Sequence, residues 1–172
     1  MKMKKIEKMK RLIIVFTLVF GAMISQAQTS DITANIKDLN QEDLAATNFD
    51  DIIESYKGKV VYLDFWASWC RPCKGEMPYS LNLQEEYKDK DVAFVYISTD
   101  RNATAWKNAI TNLSITGEHY RVNKNVYTQM NELFNVQYIP RYVLIDKDGN
   151  VVDANAKRPS DSAIKNDIDK LL

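Results

Sequence analysis

Only two cysteines and one histidine occur among the 172 residues, and each scarcity removes a class of explanation. A structural zinc ion takes about four ligands, and Cys70, Cys73 and His119 are too few to supply them. Covalent haem attachment needs a histidine directly after the second cysteine, where Lys74 stands instead. The glycines, Gly21, Gly58, Gly75, Gly117 and Gly149, are too scattered to build a phosphate-cradling loop. There is no internal repeat and no low-complexity tract. The longest apolar stretch, Leu12 to Ile24, falls short of the ~20 residues that span a bilayer.

That stretch follows Lys2, Lys4, Lys5, Lys8, Lys10 and Arg11, with Glu7 the lone acid, and precedes Ser25-Gln26-Ala27. Basic, then apolar, then small residues is the pattern of a secretory signal peptide. It predicts cleavage after Ala27 and a periplasmic or secreted protein; a retained leader would give a membrane anchor instead. No cysteine stands at the cleavage point, so nothing supports a lipidated end. Removing residues 1–27 takes away six of the 23 basic and one of the 23 acidic residues, leaving 17 against 22. Such an acidic remainder argues against nucleic acid or anionic membrane as partner, since both are bound through excess Lys and Arg. The expected organisation is a leader at 1–27, an arm or edge strand at 28–47, and a single domain at 48–172.

Within that domain, strand and helix patterns alternate. Phe49 to Tyr56 has helical apolar spacing, acids in its first turn, Asn48 as cap and Gly58 just past its end. Val60–Trp66 is apolar almost throughout, as in a central strand covered on both faces. A helix then runs from the cysteines to about Asp89, with Pro78 expected to kink it. Val92–Ile97 is a second buried strand, parallel to the first through a right-handed crossover. A helix over Ala103–Leu113, a short strand His119–Val122 and a helix over Val126–Phe134 follow. Arg141 to Ala154 reads as a β-hairpin turning at Lys147-Asp148-Gly149-Asn150, and Ser160 is the expected cap of a closing helix carrying Ile164, Ile168 and Leu171. The pattern is α/β, with helices flanking a mixed central sheet.

The chemistry concentrates in Trp69-Cys70-Arg71-Pro72-Cys73, directly after the Val60–Trp66 strand. A first cysteine at a helix start meets unpaired N–H groups and the positive end of the helix dipole, both of which favour a thiolate. The second, one turn on, is near enough to close a disulfide, so the pair reads as a two-electron redox switch. A purely structural bridge remains open, although so short a loop removes little unfolded-state entropy.

Asp64 through Lys74 resembles the active-site segment of thioredoxins. With Glu76-Met77-Pro78, the leader, the additional helix and strand between Asn102 and Val122, and the Ile145–Gly149 turn, the chain is similar to the exported TlpA-like and ResA-like branch of that superfamily. The resemblance covers about Phe49 to Leu172. It implies a thioredoxin fold with an inserted helix and short strand before a cis-proline segment, a thiol-disulfide oxidoreductase working on protein substrates, and no cofactor beyond the Cys70–Cys73 pair. Cys70 matches the exposed nucleophile, with a pKa expected below the free value of about 8.5, and Cys73 the resolving thiol. Asp64 matches a buried carboxyl that exchanges a proton with Cys73. Arg71 and Pro72 set the turn and local charge, Trp69 rims the substrate groove, and Ile139-Pro140 matches the loop that offers backbone groups to an extended substrate.

Three positions depart from the common pattern: Arg71 and Tyr138 stand where glycine is frequent, and Arg141 where a small hydroxyl residue often follows the proline. If Arg71 and Arg141 both reach the sulfurs, partners with acidic or carbonyl-rich segments are favoured. The expected direction is reduction, which in an oxidising compartment requires an upstream membrane electron donor. The chain is expected to be monomeric. An oxidase that donates its disulfide, and a copper carrier using two soft thiolates, are the rival readings. His119 is expected on an edge-strand surface, Glu76 as a solvated helix-face carboxylate and Trp66 in the core.

Overall fold

The computed structural model describes residues 34–172, so the leader and the first residues of the arm lie outside the described part. Six strands form one mixed sheet: β1 (Ala34–Asp38), β2 (Val60–Trp66), β3 (Val92–Ser98), β4 (Gly117–Arg121), β5 (Arg141–Ile145) and β6 (Val151–Asp153). Their order across the sheet is β1-β4-β3-β2-β5-β6. The first four run parallel, while β5 pairs antiparallel to β2 and β6 to β5. Among the described residues five α-helices flank the sheet: α1 (Phe49–Glu54), α2 (Arg71–Tyr87), α3 (Ala103–Asn112), α4 (Lys124–Phe134) and α5 (Ile164–Asp169). This is the mixed α/β arrangement expected of a thioredoxin fold, with α3 and β4 inserted before the proline segment.

β2 organises both layers. Successive strand residues point to opposite faces, and all seven of its residues are buried. Val60, Tyr62 and Trp66 pack with Met77 and Leu83 of α2, Trp106 of α3 and Ile164 of α5. Val61, Leu63 and Phe65 pack on the other face with Ile52 of α1 and Met130 of α4. At roughly 1.5–3 kcal/mol for each fully buried large apolar side chain, this one strand contributes to the stability of both layers.

Local chemistry sets several boundaries. Asn48 and Asp51 form a reciprocal capping box at α1, each side chain accepting the other's backbone N–H at 2.9 Å. Gly149, at φ +89°, closes the β5–β6 hairpin, and Asp146 accepts the N–H groups of Asp148 and Asn150 there. α2 continues as one helix through Pro78.

Two expectations need correcting. Ser160 does not cap the closing helix: α5 has no side-chain cap, and Ser160 donates to Glu76 instead. His119 is not on an edge surface. The edge is β1, whose residues 34–38 pair with β4 and turn it into an interior strand. His119 is fully buried, stacked on Tyr96 at 4.6 Å between ring centroids, with Nε2 3.2 Å from the Thr116 carbonyl.

Burial lowers the His119 pKa to about 4. Its folded value lies below the unfolded one, so between pH 6.5 and about 4 the unfolded chain binds the extra proton and stability falls as pH falls. At about 1.4 kcal/mol per pKa unit, the loss across that window is on the order of 3 kcal/mol. His119→Phe, which keeps an aromatic ring against Tyr96, should flatten this acid dependence. Urea midpoints compared at pH 7.5 and 4.5 in both proteins will show it, and an unchanged slope in the variant would assign the acid sensitivity elsewhere.

Candidate active site

The chain leaves β2 at Trp66 and enters α2 after a short turn in which Cys70 N–H bonds the Ala67 carbonyl at 3.0 Å. Cys70 is the N-cap of α2, with extended backbone (φ −78°, ψ 100°), and its Sγ accepts the Cys73 N–H at 3.2 Å. The first sulfur thus occupies the place a capping oxygen usually takes, at the positive end of the helix. Pro72 in the first turn forgoes an N–H that has no helical acceptor there. Cys70 and Cys73 are joined as a disulfide. In this oxidised form Cys70 is only 4% exposed, packed into the α2-side core together with Cys73, which differs from the exposed nucleophile expected. Trp69 beside it is 68% exposed, and Arg71 and Pro72 face solvent on the first helical turn.

The turn is locked from the next strand. The Asp100 carboxylate accepts the Ser68 N–H (2.8 Å), the Ser68 hydroxyl (2.6 Å) and the Ser98 hydroxyl (2.8 Å). Asp100 is buried, so three donors satisfy a charge that would otherwise be costly to hold there. Arg121, paired with Asp38 at 2.7 Å, also reaches the carbonyls of Asp100 and Arg101 at 3.4 Å. This bracket was not anticipated from the sequence, because Ser68 and Asp100 are 32 positions apart with no motif linking them.

Asp64 lies on the β2 face shared with Tyr62 and Trp66, the side covered by α2. It is 1% exposed, and neither carboxylate oxygen has a hydrogen-bond partner among the described residues. Burial, reinforced by nearby Glu76, pushes its pKa well above the ordinary carboxylate value. Tyr142 of β5 stands opposite Asp64 in the sheet register, and its hydroxyl is likewise buried without a partner. Glu76 corrects the expectation of a solvated carboxylate: it is buried on α2, accepts from Ser160 N–H at 3.1 Å and Ser160 hydroxyl at 3.0 Å, and pairs with Arg158 at 3.4 Å. The residues that cover it come from the segment before α5, far along the chain.

The Ile139–Pro140 peptide bond is cis. Phe65 pairs with Arg141 in register, which brings Pro140 alongside Trp66 at the strand end that leads to Cys70. Trp69, Tyr138 and Ile139 line one surface groove of about 1220 Å³. Arg141 does not turn to the sulfurs: its guanidinium donates to the carbonyls of Ala154 at 2.9 Å and Phe134 at 3.5 Å. Trp66 is in the core as expected. Among the described residues no three His, Cys, Asp or Glu side chains cluster as a metal site.

A cysteine pair at the tip of the helix that follows a central strand, with a cis-proline beside that strand's end, defines a thioredoxin-type redox domain, and comparison with known proteins agrees. The thioredoxin-like family profile matches residues 58–151. The thiol-disulfide oxidoreductase ResA of Bacillus cereus is 36% identical over 101 residues, 59% of this chain and 57% of that protein. ResA of Bacillus subtilis is 31% identical over 100 residues, 58% and 54% of the two chains. The match thus spans a little over half the length of these curated relatives. Among solved structures, the thioredoxin domain of a thiol-disulfide oxidoreductase from Bacteroides vulgatus superposes with TM-score 0.60 at 30% identity, covering 68% of this chain and 81% of that one. A thiol:disulfide interchange protein from a Bacteroides species gives TM-score 0.60 at 27% identity, over 67% and 76%. The chain belongs to the thioredoxin-like family.

If the Asp100 bracket holds the turn before Cys70, Asp100→Ala should cost about 2–3 kcal/mol of stability, the range for hydrogen bonds to a charged group. Urea unfolding measures the loss. The Ser68 amide should exchange with deuterium faster than amides in the interior of β2, and equal protection in variant and wild type would show that the bracket is dispensable.

Proposed function

We propose that this protein is an exported thiol-disulfide oxidoreductase that reduces disulfides in protein substrates, with Cys70 as nucleophile and Cys73 as resolving thiol. The observation carrying the proposal is the Cys70 sulfur at the N-cap of α2, accepting the Cys73 N–H. Oriented N–H groups at that place stabilise a developing thiolate. The relatives named above, three of them thiol-disulfide oxidoreductases, support the same chemistry.

In the reduced protein, the Cys70 thiolate attacks one sulfur of the substrate disulfide. The substrate S–S bond breaks, a mixed disulfide with Cys70 forms, and the departing substrate thiolate takes up a proton. Cys73, deprotonated, then attacks the Cys70 sulfur. The mixed disulfide breaks, the second substrate thiol is released, and Cys70–Cys73 is left oxidised. Two electrons and two protons have passed to the substrate, so each turnover requires an upstream dithiol donor. Asp64, buried on the α2 side of β2, acts as the group that exchanges the Cys73 proton. Trp69, Arg71, Pro72, Ile139 and Pro140 frame the approach of the substrate.

The direction of transfer is set by the reduction potential. A value near the thioredoxin figure of about −270 mV supports reduction, and one near about −120 mV supports disulfide donation. With dithiothreitol as donor and a disulfide-bonded peptide as acceptor, Cys70→Ser should abolish turnover. Cys73→Ala should accumulate the mixed disulfide, visible by intact mass. Turnover persisting in Cys70→Ser would refute the nucleophile assignment.

Asp64→Asn separates the carboxylate's chemistry from its packing. The raised folded-state pKa means that stability is full below the unfolded carboxylate value and falls as pH rises toward the folded one, because the native state holds the proton longer. The variant should therefore be more stable than the wild type at neutral and alkaline pH, by roughly 1–3 kcal/mol, with the gain vanishing at acid pH. Resolution by Cys73 should slow by up to about 10²-fold. Greater stability with unchanged resolution across neutral pH would leave Asp64 without a role in proton exchange.

A further inference from the structure

Trp69, the residue before Cys70, belongs to the wall of a groove that the two cysteines themselves do not line. It follows the carboxyl ends of β2, β3 and β4, where parallel sheets commonly place their ligand sites, and is bounded by α4 and residues 136–139. Three cationic side chains line it. Arg121 is committed to Asp38, but Arg101 and Lys124 are exposed and have no ion-pair partner among the described residues. The one acid in the lining, Asp100, has its carboxylate occupied by Ser68 and Ser98. Both α3 and α4 also begin at this groove, their N-caps Asn102 and Asn123 being part of its wall, so two positive helix ends add to the two free cations. The chain beyond Ala27 carries 22 acidic against 17 basic residues, which makes this positive groove run against the protein's overall charge.

The sulfur-proximal end has a different character. Trp69 is 68% and Tyr138 67% exposed, and Tyr127 is also open to solvent. Exposed aromatic rings beside a reactive pair offer contact area for apolar side chains at little conformational cost.

We infer that this groove binds an extended acidic segment of the protein substrate, carrying apolar residues next to the reactive cysteine and Asp or Glu side chains further along, over Arg101 and Lys124. The inference rests on the oxidoreductase reading and names the substrate class for it. It relocates the charge preference: Arg141 is tied to backbone carbonyls, and the cations that select the substrate are Arg101 and Lys124.

Two disulfide-bonded peptides of equal length, one flanked by glutamates and one by lysines, test this, together with their serine-for-cysteine forms and the neutral bis(2-hydroxyethyl) disulfide. The wild type should reduce the glutamate peptide with a kcat/KM about tenfold above the lysine peptide at low ionic strength, the margin shrinking with salt as screening tightens. Calorimetry should show the same order of affinity for the serine forms. The double variant Arg101→Glu, Lys124→Glu, altering two exposed side chains, should reverse the preference and leave reduction of the neutral disulfide unchanged. Equal handling of the two peptides by the wild type, or a preference that survives the double variant, overturns the inference. If the neutral disulfide is not reduced while the serine peptides are still discriminated, the redox reading fails and the groove stands as an acidic-peptide site.

Discussion

The proposed redox chemistry depends on one hydrogen bond from a helix tip to a sulfur, Cys73 N–H to Cys70 Sγ at 3.2 Å. That bond places the sulfur where the helix's unpaired donors converge, and donors favour sulfur in its charged form. The rest of the fold fixes where the tip sits. β2, covered on both faces, ends four positions before Cys70, so only three residues make the connection. Asp100, on the neighbouring strand's exit, holds the intervening turn through Ser68.

Behind the sulfurs the sheet carries buried polar groups that a core built for stability alone would lack. Asp64 and Tyr142 face one another in register without hydrogen-bond partners among the described residues, while Glu76 on α2 is satisfied by Ser160 and Arg158. The difference has a chemical reading. A buried carboxyl without hydrogen-bond donors has its proton affinity raised by the lack of solvation. Asp64 is thus the carboxyl suited to carrying a proton, and Glu76, one turn beyond Cys73, raises its affinity further.

Much of this was legible along the chain. Apolar runs, turn residues and helical spacing locate the strands and helices from Phe49 onward to within a few residues, and Asn48 caps α1 as its residue type suggests. The Cys-X-X-Cys pair after an apolar strand, with Asp64 upstream and Ile139-Pro140 downstream, was enough to suggest a thioredoxin-type site. The misplacements share a cause. His119 lies in a short strand that reads as an edge, but β1 covers β4 from 83 positions away. Glu76 reads as a solvated carboxylate because helical spacing shows which residues lie on one face and not which distant loop will cover it.

The linear sequence by itself determined the local chemistry: which sulfur caps the helix, which strand is apolar on both faces, and which turns the glycines permit. These depend on residue type and on neighbours within one turn or one strand. Tertiary structure alone decided which charges are satisfied and which are left to act, since Asp100 finds Ser68, Ser160 finds Glu76, Arg141 finds Ala154, and Arg101 and Lys124 are left facing an open groove. Hydrogen bonds and ion pairs between such distant partners form only after the sheet has set its register, so no spacing along the chain encodes them.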